Sequence, residues 1–235
     1  MIDREQLGEL RGALRLGDGA TLVALVRDGR LLAEAGALQM IGDGLVAALA
    51  DQVDGAAELA ADCAARLRAR GWTGDDELAD QLEGRSTREL RPVPIDLEQL
   101  IMVFEDSEGG RLDLQTGEAW PEYTFDYATT GMETTEEEEE EEDEDRWLYI
   151  DSGSHDGYLD MQEFIRTRVD GRLAERLEEA IRGRGAFRRF RDVLADHDRI
   201  HEFHVFSDEH LRGRARAWLA DAGIAVAPRR PRPAP

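Results

Sequence analysis

The chain has 235 residues and a formal charge of −23, with 52 acidic residues against 29 basic ones, all of them arginine. A net charge of this sign repels bulk nucleic acid and anionic membrane surfaces unless a local basic patch overrides it. The single cysteine, Cys63, excludes an internal disulfide framework. No run approaches the roughly 18 apolar residues of a membrane span. Because the first residues also lack a basic-then-apolar leader pattern, we predict a cytoplasmic protein without membrane contact.

Helical periodicity dominates the first third of the chain. Ile2, Leu7, Leu10 and Leu14 recur at helical spacing before Gly17. The stretch 21–26 fits a strand or a buried helix turn, and its alanine- and leucine-rich neighbours favour the helix. Later stripes continue this pattern, and one of them carries Cys63, for which we expect a packed core thiol rather than a reactive one. We therefore predict a helical N-terminal domain over residues 1–84.

The following region mixes strands and helices. Two prolines in residues 85–94 predict a linker, and a short helix is expected from Asp96 to near Phe104. A β-hairpin is predicted from the alternation of polar and apolar residues over 111–114, a turn at 115–118 and the return at Ala119-Trp120. Residues 146–150 predict a third strand. Residues 157–223 are helical in pattern, before an Arg/Pro-rich tail. We predict an α+β fold: the helical N-terminal domain, then a domain over residues 95–226 with a small antiparallel β-sheet and a C-terminal helical bundle, then a disordered tail, 227–235.

Ten consecutive acids occupy positions 136–145. Like charges at this density repel one another and resist burial, which favours a solvated loop over residues 128–145. The alternative is a functional segment, either a mimic of nucleic-acid phosphate or a docking segment for a basic partner.

Two patterns imitate metal sites. Residues 152–163 place Gly157 and Glu163 as a calcium-binding EF-hand loop would, but serines stand at the first and third ligand positions, which argues against calcium. His197, His201 and His204 are spaced to share one helical face, as zinc ligands sometimes are. No fourth ligand is obvious beyond Asp208 or His210. We expect exposed histidines, no metal and no cofactor.

The most distinctive stretch is 182–194, with five arginines, two glycines and two phenylalanines. Gly183 and Gly185 predict a break between two helices. Phe187, Phe190 and Leu194 then form an apolar stripe that predicts core packing. For the arginines two interpretations stay open. They pair with nearby acids such as Glu178, Glu179 and Asp192, or they form an anion site at a helix start, comprising Arg184, Gly185, Arg188, Arg189 and Arg191.

The chain also resembles a bacterial uncharacterised protein family, number 0158, from about Arg91 to Ile224. The resemblance is carried by Val93–Leu100, Leu112–Glu118, Gly157–Ile165, Gly183–Leu194 and Trp218-Leu219. It implies no activity, because the family has no assigned function. It also implies that the helical N-terminal part is an extension of the kind found in some actinobacterial members.

These observations support three hypotheses of function. The leading one is a non-catalytic interaction module that binds an acidic or phosphorylated protein through the arginine-rich helix start. The second is a nucleic-acid-associated protein that uses the same arginines, which the net charge disfavours. The third is an unrecognised hydrolase or metalloenzyme, for which no catalytic residue can be named. The sequence leaves the oligomeric state open.

Overall fold

The computed structural model describes residues 2–27, 31–32, 36–85, 88–125, 146–151 and 156–228. The predicted acidic loop and all but the first two residues of the predicted tail lie outside these ranges. Within them the protein is an α+β fold with helices at both ends. Its helices are α1 Arg4–Leu16, α2 Gly19–Arg27, α3 Leu38–Ala50, α4 Ala56–Arg70, α5 Asp75–Glu83, α6 Leu97–Phe104, α7 Asp156–Arg168, α8 Gly171–Ala180, α9 Ala186–Asp196 and α10 Ile200–Asp221. Its strands are β1 Arg91–Val93, β2 Gly110–Asp113, β3 Ala119–Pro121, β4 Trp147–Ile150 and β5 Ile224–Val226.

Helices α1–α5 enclose the first of three apolar cores. The helix predicted over residues 21–26 is confirmed as part of α2, and α1 ends at Gly17, whose φ of 63° suits a glycine cap. Cys63 is fully buried in this core, as expected. Burial and the nearby Glu209 carboxylate raise the pKa of its thiol to about 12, which keeps it protonated and unreactive at neutral pH.

The predicted hairpin and third strand are confirmed as an antiparallel sheet of order β3-β2-β4. Its inner side joins α6 and the end of α10 in the second core. A parallel pair, β1 with β5, was not predicted, and it places residues 91–93 of the expected linker in a strand. Arg91 N–H donates to Gly223 and the Val93 carbonyl accepts from Ala227. Pro92 between them is tolerated because its position in the ladder needs no donor.

Helix α10 connects the cores. Its 22 residues span about 33 Å, and they contribute to every cluster: Val205 to the first, Ala215 and Leu219 to the second, Phe203 and Phe206 to the third. The third core is otherwise built by α7–α9. Among the described helices, none combines the length and apolar character needed to cross a membrane.

Candidate functional site

The arginine-rich stretch forms the turn between α8 and α9 and the first turns of α9. Gly183 and Gly185 have φ values of 75° and 79°, so they adopt the left-handed conformation that the predicted helix break requires. Phe190 and Leu194 are fully buried, and the Phe190 ring contacts Phe203 edge-to-face at 4.8 Å between ring centres. The predicted apolar stripe is therefore confirmed for these two residues.

Phe187 does not fill the core. It is 47% exposed, and the prediction of a buried ring at this position is wrong. The ring lies in the first turn of α9, where it faces Gly157 of α7. A Cβ at Gly157 would lie 3.0 Å from the ring, so the missing side chain lets the ring lie close to α7 while about half of it stays in solvent. Helical spacing gives the direction of a side chain but not what lies opposite it.

Arg189 is held by the backbone of its own turn. Its guanidinium donates to the carbonyls of Ala180, Arg182 and Arg184. Those carbonyls end α8 or belong to the turn, so the side chain takes the place of a C-terminal helix cap. Sequence reasoning placed Arg189 among the anion ligands, whereas these contacts give it a structural role.

The remaining arginines of the stretch face solvent. We use the name arginine corner for Arg184, Phe187, Arg188 and Arg191, which are all exposed. Arg188 lies 3.9 Å from Asp192 in an ion pair whose members are 87% and 70% exposed, an arrangement that contributes little to stability. Within the described residues, Arg184 and Arg191 make no ion pair, so the predicted pairing with Glu178 and Glu179 is not observed.

Arg191 of the arginine corner is close enough to His204 of α10 to affect its pKa. Partial burial lowers the pKa of His204 on α10, and the charges of Arg191, His201, Arg11 and Arg4 lower it further.

The three histidines do not share a helical face. His197 follows α9 and precedes α10, because Asp198 has a φ of 54° and interrupts the helix. The His197 ring contacts Arg176, with 2.7 Å between Nε2 and Nη1, and His201 Nε2 lies 3.2 Å from the Ile2 carbonyl. In the described ranges, no group of three or more histidine, cysteine, aspartate or glutamate side chains is placed to hold a metal ion.

The calcium-like loop is described only in its second half. Ser152 and Ser154 lie outside the described residues. The Glu163 carboxylate, which would be the final ligand, binds Arg166 at 2.5 and 2.9 Å. The helix predicted at this position is confirmed as α7.

A buried charged network was missed by sequence reasoning. Glu209 of α10 is buried between the helices, where its carboxylate accepts from Gln39 N–H at 2.9 Å, Met40 N–H at 3.2 Å and Arg70 Nη1 at 2.8 Å. Gln39 and Met40 lie in the first turn of α3, whose own N-cap, Ala37, has no side chain to bond them. Glu209 thus caps a helix 170 residues away in sequence. Burial raises the pKa of Glu209, while Arg70 and the two N–H groups oppose that rise.

The network continues on both sides. Asp75 accepts from Arg70, from Trp72 N–H and from Gln39 Nε2, and Arg216 binds Gln39, Gln81 and Asp43. A signal for this burial exists in the sequence, because apolar residues occur on all sides of α10 and leave no wholly polar face. The charges on such a helix must find buried partners.

A cleft of about 170 Å³ adjoins this network, between α1–α3 and the start of α6. Its four acidic lining residues are engaged: Asp43 binds Arg216, Asp18 accepts from Thr21, Asp96 caps α6, and Glu98 pairs with Arg11 at 3.9 Å. Among these lining residues we find no pair of carboxylates whose environments differ enough for one to act as a general acid and the other as a general base. The cleft supports no catalytic assignment.

Comparison with known proteins gives one positive result. No curated protein and no solved structure matches the chain. A family model matches residues 91–233, which include the sheet, α6–α10 and the arginine corner but not α1–α5. The actinobacterial origin of the N-terminal extension stays a prediction. On this match over more than half of its length, the chain belongs to the Uncharacterised protein family (UPF0158).

Proposed function

We propose that this protein is a non-catalytic interaction module that binds an acidic or phosphorylated protein through the arginine corner. One observation carries the proposal. Three exposed arginines, which make a single weak ion pair among the described residues, lie within four positions of a half-exposed phenylalanine, in a chain whose net charge is −23. Guanidinium groups bind phosphate or carboxylate in pairs of hydrogen bonds. Aromatic and arginine side chains are also those enriched where binding energy concentrates at interfaces.

The rigidity of the turn supports the same function. Arg189 ties three carbonyls of the turn together, and Phe190 anchors α9 in the third core. The arginines of the corner thus project from a fixed backbone, which lowers the entropy lost when a partner binds.

A direct test measures binding of labelled acidic peptides with phosphoserine, of the same peptides with serine, and of an oligouridylate, by fluorescence anisotropy. The site variant carries Arg184→Gln, Arg188→Gln and Arg191→Gln. The matched control carries Arg66→Gln, Arg85→Gln and Arg166→Gln, which remove three arginines from exposed ion pairs elsewhere.

We expect the site variant to bind phosphopeptide at least about tenfold more weakly and the control to bind like the parent. Phe187→Ala should weaken binding without reducing the positive charge. Equal losses in both triple variants would mean that only net charge matters, which contradicts a defined site. Binding of the oligouridylate in preference to every peptide would favour the nucleic-acid alternative instead.

A further inference from the structure

The short parallel sheet has a free edge. Among the described residues, strand β5 pairs only with β1. The Gly223 carbonyl, just before β5, accepts from β1, and the N–H of Ala227, just after it, donates to β1. Because backbone groups alternate in direction along a strand, those of Ile224 and Val226 point away from β1. The second edge of β5 is therefore formed by these two residues.

The backbone groups at this edge are mostly without partners. The Val226 carbonyl accepts from Gln81 Nε2 of α5 at 2.6 Å, which shows that the edge faces α5. The Val226 N–H and both backbone groups of Ile224 have no hydrogen-bond partner among the described residues. Ile224 is 4% exposed and Val226 9%. Backbone polar groups of buried residues are nearly always paired, so an added strand would supply partners that this edge lacks.

A cleft of about 270 Å³ lies beside this edge. It is lined by the three residues of β5, by α5, by the C-terminal part of α10 and by Leu90 before β1. We call this cleft the β5 groove. Three strand residues span roughly 10 Å, so the groove has the length for about three residues of an extended chain.

The α5 side of the β5 groove is negatively charged. Asp76, Glu77 and Asp80 line it. The guanidinium of Arg68 is shared between Asp76 at 3.4 Å, Asp80 at 2.7 Å and a further acid, Glu83, at 2.6 Å. Glu77 has no ion pair among the described residues. One shared arginine therefore leaves this side with an excess of negative charge.

The arginines that line the β5 groove do not offset that excess. Arg88 pairs with Asp221 at 3.1 Å, and the buried Arg216 binds Asp43. Because each of these arginines has its own carboxylate, the acids of α5 set the sign of the field in the groove. A cationic side chain is favoured there, whereas a phosphate or carboxylate is repelled.

We propose that the β5 groove binds an extended, arginine- or lysine-containing segment of a protein partner. The segment adds a strand to the free edge of β5 and bonds the backbone groups of Ile224 and Val226. Its cationic side chains pair with Asp76 and Glu77 on α5. This site is separate from the arginine corner, which selects partners of the opposite sign.

The charge of the groove is tested with a labelled peptide of alternating arginine and valine, whose binding to the full chain is measured by fluorescence anisotropy. The groove variant carries Asp76→Asn and Glu77→Gln. The matched control carries Asp62→Asn and Glu58→Gln, which remove the same two charges from the exposed surface of α4, where Asp62 is also in an exposed ion pair.

The added strand is tested through its backbone. Two further peptides carry N-methyl groups, one on every arginine and the other on every valine, so each lacks half of its N–H donors. On the protein side, Val226→Pro removes a donor that faces the groove and leaves the bonds to β1 intact. Val226→Ala is its control, because it keeps the N–H while shortening the side chain. Circular dichroism melting checks that each variant folds.

We expect the groove variant to bind the peptide about tenfold more weakly and its control to bind within about twofold of the parent. One N-methylated peptide should lose binding and the other keep it, because only alternate residues of an added strand face β5. Val226→Pro should bind more weakly than Val226→Ala.

Two results would overturn the proposal. Equal losses in the groove variant and its control would mean that net charge alone attracts the peptide. Equal binding of all three peptides would mean that no strand is added, and this comparison needs no variant to fold. The triple arginine variant of the arginine corner should bind the basic peptide at least as tightly as the parent, so failure of either proposal leaves the other testable.

Discussion

Two groups of arginines show opposite uses of the same side chain. On α10, the side chains of Arg212 and Arg216 are about 96% buried and both bind Asp43 of α3, while Arg212 also binds Asp208 of α10 itself. In the arginine corner, Arg188 is 87% exposed with one long ion pair, and Arg191 has no ion pair among the described residues. The difference comes from what lies opposite. The α10 residues face α3 and α5, whereas the corner lies at the end of a helical hairpin. Buried arginines therefore fix how the helices meet, and exposed ones remain free for a partner.

The largest effect should come from the buried network. Glu209→Ala removes one of the two carboxylates that bind Arg70 and leaves two N–H groups in the first turn of α3 without an acceptor. We expect a loss of about 3–5 kcal/mol in the free energy of unfolding, measured in urea. Asp192→Ala, which breaks the exposed pair with Arg188, is the control and should change little. Equal effects of the two changes would remove the distinction between buried and exposed pairs.

The two phenylalanines of α9 should behave differently. Phe190→Ala opens a cavity in the third core and should cost about 3–5 kcal/mol. Phe187→Ala should cost less than half of that, because its ring is already half in solvent. Both losses in the free energy of unfolding are measured by thermal or urea unfolding of chains that differ only at these positions. A Phe187 variant as unstable as the Phe190 variant would show that the ring is buried in solution.

A glycine tests how closely the N-terminal helices approach α10. A Cβ on Gly213 would lie 2.1 Å from the Thr73 carbonyl oxygen, so Gly213→Ala should destabilise by about 1–3 kcal/mol. The matched change Gly8→Ala, in α1 with nothing within 4 Å, should stabilise by about 0.5–1 kcal/mol through helix propensity. Stabilisation by both changes, seen as raised melting temperatures, would mean that the close contact is absent.

Acid should weaken the same region through His210. Burial lowers the pKa of this histidine to about 4, and its ring stacks on Trp72 at 4.0 Å. Below pH 6.5 the unfolded chain binds a proton at this residue while the folded chain does not. Stability therefore falls between pH 6.5 and about 4, by at most about 1.4 kcal/mol per pH unit, and this contribution is constant above that window. His210→Phe should flatten the dependence, and an equally steep fall in the variant would contradict the assignment.

The smallest changes in stability are expected for two neighbouring arginines, Arg189 and Arg188. Arg189→Ala removes hydrogen bonds to three carbonyls and should cost about 1 kcal/mol. Arg188→Ala should leave the unfolding midpoint unchanged, since the one ion pair that its side chain makes among the described residues is long and exposed. If Arg188→Ala destabilised the protein as much as Arg189→Ala, the arginine corner would be structural, and the proposed anion site would lose its support.

The local elements could be predicted from the sequence because their causes are local. Gly17, Gly183 and Gly185 end or separate helices through their own backbone freedom, and alternation over residues 111–120 sufficed for the hairpin. The strand pair β1–β5 could not be predicted in this way. Each strand has three residues, too few for a periodic signal, and their partners lie more than 130 positions apart. The division into two domains at residues 85–94 stays a prediction. Glu209 and Gly213 of α10 both contact the N-terminal helical region, Glu209 at Gln39 and Gly213 at Thr73.

The sequence by itself determined the α+β class, the helix break at Gly183 and Gly185, the antiparallel hairpin and the family, recognised from about Arg91 to Ile224 and matched over residues 91–233. Only the tertiary structure decided which charged and aromatic side chains are buried. Glu209 caps α3 from 170 positions away, and Phe187 lies against Gly157 at the surface instead of entering the third core. Whether a side chain is buried depends on the helix or strand that packs against it. An apolar stripe in the sequence describes the surface of one helix and not the surface of its neighbour.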